Sequence, residues 1–146
     1  MPRHFRLEDA ESLLPEVEQA LRDAIFQKSE YEAADGELDR AMQRIRMAGG
    51  SRVSPGPILA LRARKDSAAS ALAAVMERIN NWGVQVKDLD RGLIDFPTLY
   101  KGREVLLCWK LGEERIGYWH GLEEGYRGRK AIDDEFRAEH RGAAPN

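Results

Sequence analysis

Mostly apolar residues recur at alternating spacings of three and four along the first third of the chain. The positions of this repeat are Leu14, Val17, Leu21, Ala24, Lys28, Tyr31, Asp35, Leu38, Met42 and Ile45. Such a heptad pattern is typical of a helix that packs along its length on another helix. Because a proline fits best in the first helical turn, Pro15 predicts a short turn over 7–14 and a long helix over 15–48.

A second heptad stretch follows a segment that is rich in glycine and proline. Helix breakers are concentrated over 49–57, and no helix is expected to continue through them. The repeat then resumes at Ile58, Leu61, Lys65, Ala68, Leu72, Val75, Ile79 and Trp82. Two such helices predict an antiparallel hairpin, with Asp35 and Lys65 within one turn of each other. Because two helices alone cover only half of each apolar stripe, a further surface or a second subunit is expected.

The pattern changes to a period of two after Gly83, a residue expected to end the second helix in the left-handed conformation. Alternating apolar and polar residues indicate β-strands in three segments: 84–86, 105–109 and 116–118. The pairs Lys101-Gly102 and Leu111-Gly112 are typical of turns between strands. The expected fold class is therefore α+β, with a long antiparallel helical hairpin plus a small antiparallel β-sheet of three or four strands.

These elements give a simple domain organisation. One domain is expected over 1–132, with the helical hairpin over 7–82 and the small β-sheet region over 83–132. The last segment, 133–146, is charged and then rich in glycine, alanine and proline. Because chain ends of this composition are often poorly ordered, we predict a flexible tail there.

Composition and charge limit the partners, the location and the cysteine chemistry that are expected for this protein. The chain has 23 Lys and Arg residues against 25 Asp and Glu, and its pI of about 6.0 gives no support for a nucleic-acid partner. It has no apolar run of the length that a membrane span needs, so no membrane partner is predicted. The charged segment over 1–6 predicts no secretory signal, and we expect a cytoplasmic protein. With Cys108 as its single cysteine, the chain has no internal disulfide and no cysteine-rich zinc module.

Carboxylates around a predicted turn form the first candidate site. If Arg91-Gly92 is a two-residue hairpin turn, Asp88 lies directly opposite Asp95. Facing like charges could raise one pKa for acid–base chemistry or bind a divalent metal. With a four-residue turn, Asp88 instead pairs with Leu93 and caps the turn. Asp95 then accepts structural hydrogen bonds or pairs with Lys87.

Glu113, His120 and Cys108 are further polar candidates. A predicted strand separates Glu113 from His120 by about 20 Å, so these two side chains are not expected to share a site. His120 could pair instead with Glu123 or Glu124 on the following turn. Cys108 lies between apolar residues, so it is expected to be a small buried hydrophobic residue.

A short basic cluster follows these carboxylates. It consists of Arg127, Arg129 and Lys130, close to Tyr126. Such a cluster either binds a phosphate or carboxylate group or neutralises nearby acidic residues on the surface. The sequence leaves both interpretations open.

Three motifs resemble a family of uncharacterised prokaryotic proteins, domain of unknown function 2203. They are Gly83-Val-Gln-Val-Lys-Asp-Leu-Asp-Arg-Gly-Leu-Ile-Asp-Phe-Pro97, Leu107-Cys-Trp-Lys-Leu-Gly-Glu-Glu-Arg-Ile-Gly-Tyr-Trp-His120 and Gly125-Tyr-Arg-Gly-Arg129. The resemblance covers most of the chain up to Ile132 and implies no reaction, substrate or cofactor. It implies that five polar residues belong to the family's signature and form one candidate polar site. These residues are Lys87, Asp88, Asp95, Glu113 and His120.

Two functions from different classes follow. The first is a non-enzymatic interaction or assembly module that uses its helical hairpin, forms a homo-oligomer or binds a protein partner, and needs no cofactor. The alternative is a small metal-dependent or acid–base enzyme with a site at Asp88, Asp95 and His120, for which a divalent metal is the expected cofactor.

Overall fold

A computed structural model of the chain describes residues 3–49 and 54–141. The helices are α1 (Leu7–Met47), α2 (Pro55–Asn81) and α3 (Asp134–Glu139). The strands are β1 (Gln85–Asp88), β2 (Leu93–Tyr100), β3 (Arg103–Lys110), β4 (Tyr118–Gly121), β5 (Lys130–Ala131) and β6 (His140–Arg141). The predicted α+β class, a long helical hairpin plus an antiparallel sheet, is confirmed. The described chain has six strands rather than three or four.

These elements divide into two compact units. One consists of Met1–Leu21 with Glu77–Asn146, and the other of Arg22–Met76. We call the second the hairpin unit and the first the sheet unit. Both boundaries fall inside helices, so α1 and α2 each contribute residues to both units. Within the described residues, no helix is long and apolar enough to cross a membrane.

The hairpin unit has the predicted helix register. The Nζ atom of Lys65 lies 2.8 Å from Oδ1 of Asp35, as the heptad alignment predicts. Next to this pair, Arg64 donates hydrogen bonds to Glu37 at 2.9 Å and Glu30 at 3.3 Å. These contacts join the two helices across the hairpin, so the heptad positions face each other as expected.

The helix ends differ from the prediction at two prolines. The expected break at Pro15 is wrong, because α1 continues through it from Leu7 to Met47. A proline costs one backbone hydrogen bond, but Leu14 and Val17 on either side of it are buried, and this packing holds the helix together. α2 begins at Pro55, before the first heptad residue Ile58, because prolines are accepted in a first turn.

The sheet is antiparallel in the order β1-β2-β3-β4-β5, and β6 pairs with the end of β2. A two-residue turn joins β2 to β3, with φ of 51° at Lys101 and 78° at Gly102, which confirms the predicted turn. Phe5 packs edge-on against Phe96 with ring centroids 5.3 Å apart. The core of the sheet unit also contains Trp109, which is fully buried.

The predicted flexible tail is not observed over 133–141. Phe136 of α3 is 1% exposed and stacks on Tyr100 and Trp119, with ring centroids 4.7 and 5.0 Å away. After α3, the Nε2 atom of His140 accepts a hydrogen bond from the backbone N–H of Leu7 at 3.0 Å. One aromatic side chain and one capping histidine therefore order this segment, despite its charge. The rest of the predicted tail, 142–146, lies outside the described residues.

Candidate functional site

Three adjacent strands of the sheet contribute the side chains of one polar cluster. In the pairing of β2 with β3, Asp95 lies directly opposite Cys108. In the pairing of β3 with β4, Cys108 lies opposite Tyr118, and His120 is two residues further along β4. Because side chains alternate between the faces of a sheet, all three polar residues lie on one face. Among the described residues, their ligand atoms form a group within 4.8 Å of one another.

The Asp95–His120 contact is at the centre of this cluster. Nε2 of His120 lies 3.1 Å from Oδ1 of Asp95, and Nδ1 lies 2.8 Å from the carbonyl oxygen of Gly121. A carbonyl oxygen can only accept, so Nδ1 carries a proton and donates it to Gly121. The Nε2–Oδ1 contact needs a second proton, carried either by the ring or by the carboxyl group. The two side chains therefore share one proton.

The environment of Asp95 disfavours a negative charge. The residue is 1% exposed, and its Oδ2 atom has no hydrogen-bond partner. Burial raises the pKa of Asp95 above its ordinary value of 3.8, although interactions with His120 and the charge of Lys87 act in the opposite direction. Burial therefore works against a negative charge on Asp95, whereas His120 and Lys87 favour it.

Arg129 covers the cysteine side of the cluster. Its guanidinium group donates to both carboxylate oxygens of Glu113, at 3.1 and 2.8 Å, in a two-pronged ion pair. The same group lies 3.9 Å from the centroid of the Tyr118 ring and 4.2 Å from that of Tyr126. It also acts to lower the pKa of the Cys108 thiol. Arg129 therefore links Glu113 to the buried cluster.

The thiol of Cys108 is protonated in this environment. Burial, together with the nearby charge of Asp95, raises the pKa of Cys108 to about 12, while Arg129 acts to lower it. The side chain is fully buried. A thiol in this state is a poor nucleophile, and it becomes a thiolate only when a cation replaces its proton.

The predicted facing pair of Asp88 and Asp95 is wrong. Asp88 pairs with Leu93, and the residue opposite Asp95 on β1 is Gln85. The four-residue turn is therefore the correct alternative. Oδ1 of Asp88 accepts a hydrogen bond from the backbone N–H of Arg91 at 3.1 Å, so Asp88 caps this turn. The turn between β1 and β2 thus spans four residues, 89–92, which places Asp88 beside Leu93 rather than opposite Asp95.

The other sequence candidates lie in three different environments. Glu113 is outside β4, and Nε1 of Trp109 donates to its carbonyl oxygen at 3.0 Å. Glu113 reaches the cluster through Arg129 rather than through a strand. Lys87 acts on Asp95 through its charge. His120 has Asp95 as its partner, and Glu124 instead accepts hydrogen bonds from Lys130 at 2.7 and 2.9 Å.

The sequence did not place two members of the cluster beside Asp95 and His120. Cys108 was predicted as a buried hydrophobic residue, and Arg129 as part of a basic cluster that either binds a phosphate or carboxylate group or neutralises acidic residues on the surface. The predicted turn at Lys101-Gly102 was the signal for Cys108, because a two-residue turn there aligns it with Asp95. No sequence signal placed Arg129, whose position depends on the 3₁₀ turn over Tyr126–Gly128.

A surface groove of about 740 Å³ also occurs in the sheet unit. It is lined by Trp119, whose side chain is on the opposite face of β4 from His120. None of the charged residues that line it is buried, and Lys130 pairs with Glu124. The groove therefore lacks a buried reactive group, and the polar cluster is the stronger candidate site.

The cluster can do two things chemically. It can hold and exchange the proton between Asp95 and His120, and it can present one oxygen, one nitrogen and one sulfur ligand to a cation. The side chains of Asp95 and His120 are 1% and 4% exposed, so both activities belong to a closed site.

Comparison of the sequence with known protein families gives one match. The sequence profile of an uncharacterized conserved protein family, DUF2203, matches residues 3–132. The matched range includes every residue of the cluster and ends before α3. No curated protein and no solved structure matches the chain significantly. Since the match covers most of its length, the chain belongs to the family of uncharacterized conserved proteins called domain of unknown function 2203.

Proposed function

We propose that this protein is a cytoplasmic, homo-oligomeric assembly module, in which α2 of the hairpin unit packs as a coiled coil against α2 of a second copy. The observation that carries this proposal is the uncharged stretch Ser67–Met76 within α2. An exposed helix face normally carries charged residues, whereas a helix without them is covered by protein. Yet Ala69, Ala73 and Ala74 of this stretch are exposed in the single chain.

Neighbouring residues extend the same surface. Leu59 is 60% exposed, and the heptad residues Leu72 and Val75 are only half-buried. Small residues such as alanine allow two helix axes to approach closely, at the lower end of the usual 8–10 Å. An antiparallel arrangement of two copies would cover this stretch over about 15 Å of helix.

Charge complementarity favours a second copy as the occupant. Segment 22–39 contains six acidic and two basic residues, whereas segment 40–65 contains seven basic residues and no acidic ones. Two antiparallel hairpins related by a two-fold axis would bring the acidic half of one beside the basic half of the other. The same contact is then formed twice, as in most soluble dimers.

Sedimentation equilibrium at micromolar concentration tests the proposal. The wild-type protein is expected at twice its 16.5 kDa chain mass. Ala73→Lys places a charge in the middle of the uncharged stretch and should give the monomer mass. Because lysine is nearly as good a helix former as alanine, the variant should keep its helical circular dichroism.

Ala138→Lys is the matched control, since it adds the same side chain at an exposed alanine of α3, in the sheet unit. It should sediment as the wild type does. A monomeric wild-type protein, or an Ala73→Lys variant that remains a dimer, would contradict the proposal.

The alternative of an acid–base or metal-dependent enzyme at Asp88, Asp95 and His120 has weaker support. Asp88 caps a turn outside the cluster. A substrate would also have to reach side chains that are at most 4% exposed. The proposal of an assembly module therefore takes precedence.

A further inference from the structure

The polar cluster of the sheet unit offers a set of ligands with mixed chemistry. Asp95 supplies oxygen, Cys108 supplies sulfur and His120 supplies nitrogen, all within 4.8 Å of one another. We propose that these three side chains bind one Zn²⁺ ion in the closed interior of the sheet unit. Zn²⁺ accepts all three donor types, whereas Mg²⁺ and Ca²⁺ bind almost exclusively through oxygen. This site does not depend on the association of hairpins.

The spacing of the donors fits a small cation. At ordinary zinc–nitrogen and zinc–oxygen distances, two ligands of a tetrahedral ion are about 3.3 Å apart. Nε2 of His120 and Oδ1 of Asp95 are 3.1 Å apart. The ion can therefore take the place of the proton that these atoms share, with little movement of either side chain.

The unpartnered oxygen of Asp95 supplies a fourth donor. Oδ2 is buried without a hydrogen bond, which is an unfavourable state for a carboxyl oxygen. If the carboxylate binds through both oxygens, the ion has four donor atoms from three residues. Four-coordination is the usual arrangement for zinc sites that have a structural role.

Groups around the ligands are also arranged for a metal. Metal-binding histidines commonly donate their second ring N–H to a carbonyl oxygen, as Nδ1 of His120 does to Gly121 at 2.8 Å. The guanidinium group of Arg129 acts to lower the pKa of Cys108 and would stabilise a thiolate. Its ion pair with Glu113 at 2.8 Å offsets the positive charge of Arg129 beside the ion.

Proton release follows from this arrangement. Zn²⁺ displaces the proton shared by Asp95 and His120, and it also displaces the thiol proton of Cys108. Binding of one ion should therefore release about two protons, because both are present before binding and neither fits beside the metal. Because the ligands are buried, loading is expected to accompany folding.

The test refolds the full-length chain from urea with Zn²⁺ or Co²⁺ and compares it with chain refolded in chelator. We expect one metal ion per chain by mass spectrometry. Refolding with Zn²⁺ in weakly buffered solution should release about two protons per chain more than refolding without metal, because the metal-free fold takes up the proton shared by Asp95 and His120. We also expect a thiolate-to-metal absorption band with Co²⁺. This band reports the bond to Cys108 directly.

Two variants give the contrast. Cys108→Ser should abolish the thiolate band, whereas Asp88→Asn, which changes a carboxylate outside the cluster, should leave the band and the stoichiometry unchanged. If Cys108→Ser does not fold, the wild-type band and the proton count decide the question without it. Absence of the band in the wild type, or binding well below one ion per chain, would overturn the proposal.

Discussion

Burial of the Asp95 carboxyl group has a cost that its neighbours offset only in part. Interactions with His120 and the charge of Lys87 favour the ionised form, yet the pKa of Asp95 remains raised. The loss of hydration therefore outweighs the attraction, as is common for carboxyl groups in low-dielectric surroundings. The native state binds a proton here more tightly than the unfolded chain does.

This pKa shift predicts how Asp95→Asn changes the pH dependence of stability. Since the folded pKa is above 3.8, the contribution of Asp95 to stability is greatest below that pH and falls as pH rises through the folded pKa. Asparagine does not titrate, so the variant should lack this fall. Urea unfolding of both proteins, in chelator and over a series of pH values, measures the difference.

The stability difference between wild type and Asp95→Asn should shift in favour of the variant as pH rises above 3.8. A difference that stays constant across this range would show that Asp95 titrates alike in both states. A shift in favour of the wild type would mean that the folded pKa is lowered instead.

The sequence predicted some residues of the candidate site but not the contacts that they make. Asp95 and His120 were both among the candidates, but their partners in the fold were assigned differently. The four-residue turn 89–92 separates Asp88 from Asp95, and the sequence left the length of this turn open. Arg129 was assigned to a basic cluster, and its pairing with Glu113, sixteen positions away, was not predicted.

At the scale of elements, two turns of the sheet need glycine for different reasons. Gly92 has φ of +67°, and a Cβ atom there would lie 2.4 Å from Cβ of Leu111. Gly102 has φ of +78°, but a Cβ atom there would meet nothing within 4 Å. Both positions favour glycine for backbone reasons, and only Gly92 also needs the missing side chain for space.

Gly92→Ala should therefore be more harmful than Gly102→Ala. The first combines backbone strain with overpacking and should lower the free energy of unfolding by roughly 2–5 kcal/mol. The second has strain alone and should cost about 1–2 kcal/mol. Urea denaturation of the two variants compares them directly, and equal losses would mean that Leu111 moves aside at little cost.

The order of α3 allows a second comparison between elements. Phe136→Ala removes a ring that stacks on Tyr100 and Trp119 and is 1% exposed. We expect it to lower the free energy of unfolding by about 3–5 kcal/mol. Leu122→Ala, at a residue 56% exposed in the same unit, should change it by about 0.5 kcal/mol or less.

Thermal and urea melts of both variants measure this contrast. If Phe136→Ala is as stable as Leu122→Ala, the packing of Phe136 does not stabilise the fold, as expected for a flexible tail. A flexible tail was predicted because 133–146 is rich in charged and small residues, and a single phenylalanine did not indicate a buried element there.

Periodicity predicted the helices well and the strands only in part. Heptad spacing is a strong signal over many turns, and the contact between Asp35 and Lys65 confirms the register it gave. β2 has no alternating pattern, because its residues Leu93–Thr98 are all buried, so only the predicted turns on either side of it indicated a strand there. β5 and β6 have two residues each, too few for any pattern.

At the scale of the whole molecule, self-association links stability to protein concentration. If two copies pair through α2, unfolding also separates them, and the melting temperature should rise with concentration. Ala73→Lys should remove this dependence, whereas Ala138→Lys should keep it. Differential scanning calorimetry over a wide concentration range gives the answer, and a wild-type melting temperature independent of concentration would argue against a folded dimer.

The order of the chain has a consequence for biosynthesis. The hairpin unit, Arg22–Met76, is continuous in sequence, whereas the sheet unit is assembled from both ends of the chain. His140 accepts its hydrogen bond from Leu7, and β6 pairs with β2, so the sheet unit is complete only when the last residues have been made. At about 5–20 residues per second, the ribosome needs several seconds to add them after Met76. During this interval the hairpin unit can fold while the sheet unit is still incomplete. Apolar residues that are buried in the complete sheet unit, such as Leu14, Val17 and Leu21, are then accessible to chaperones.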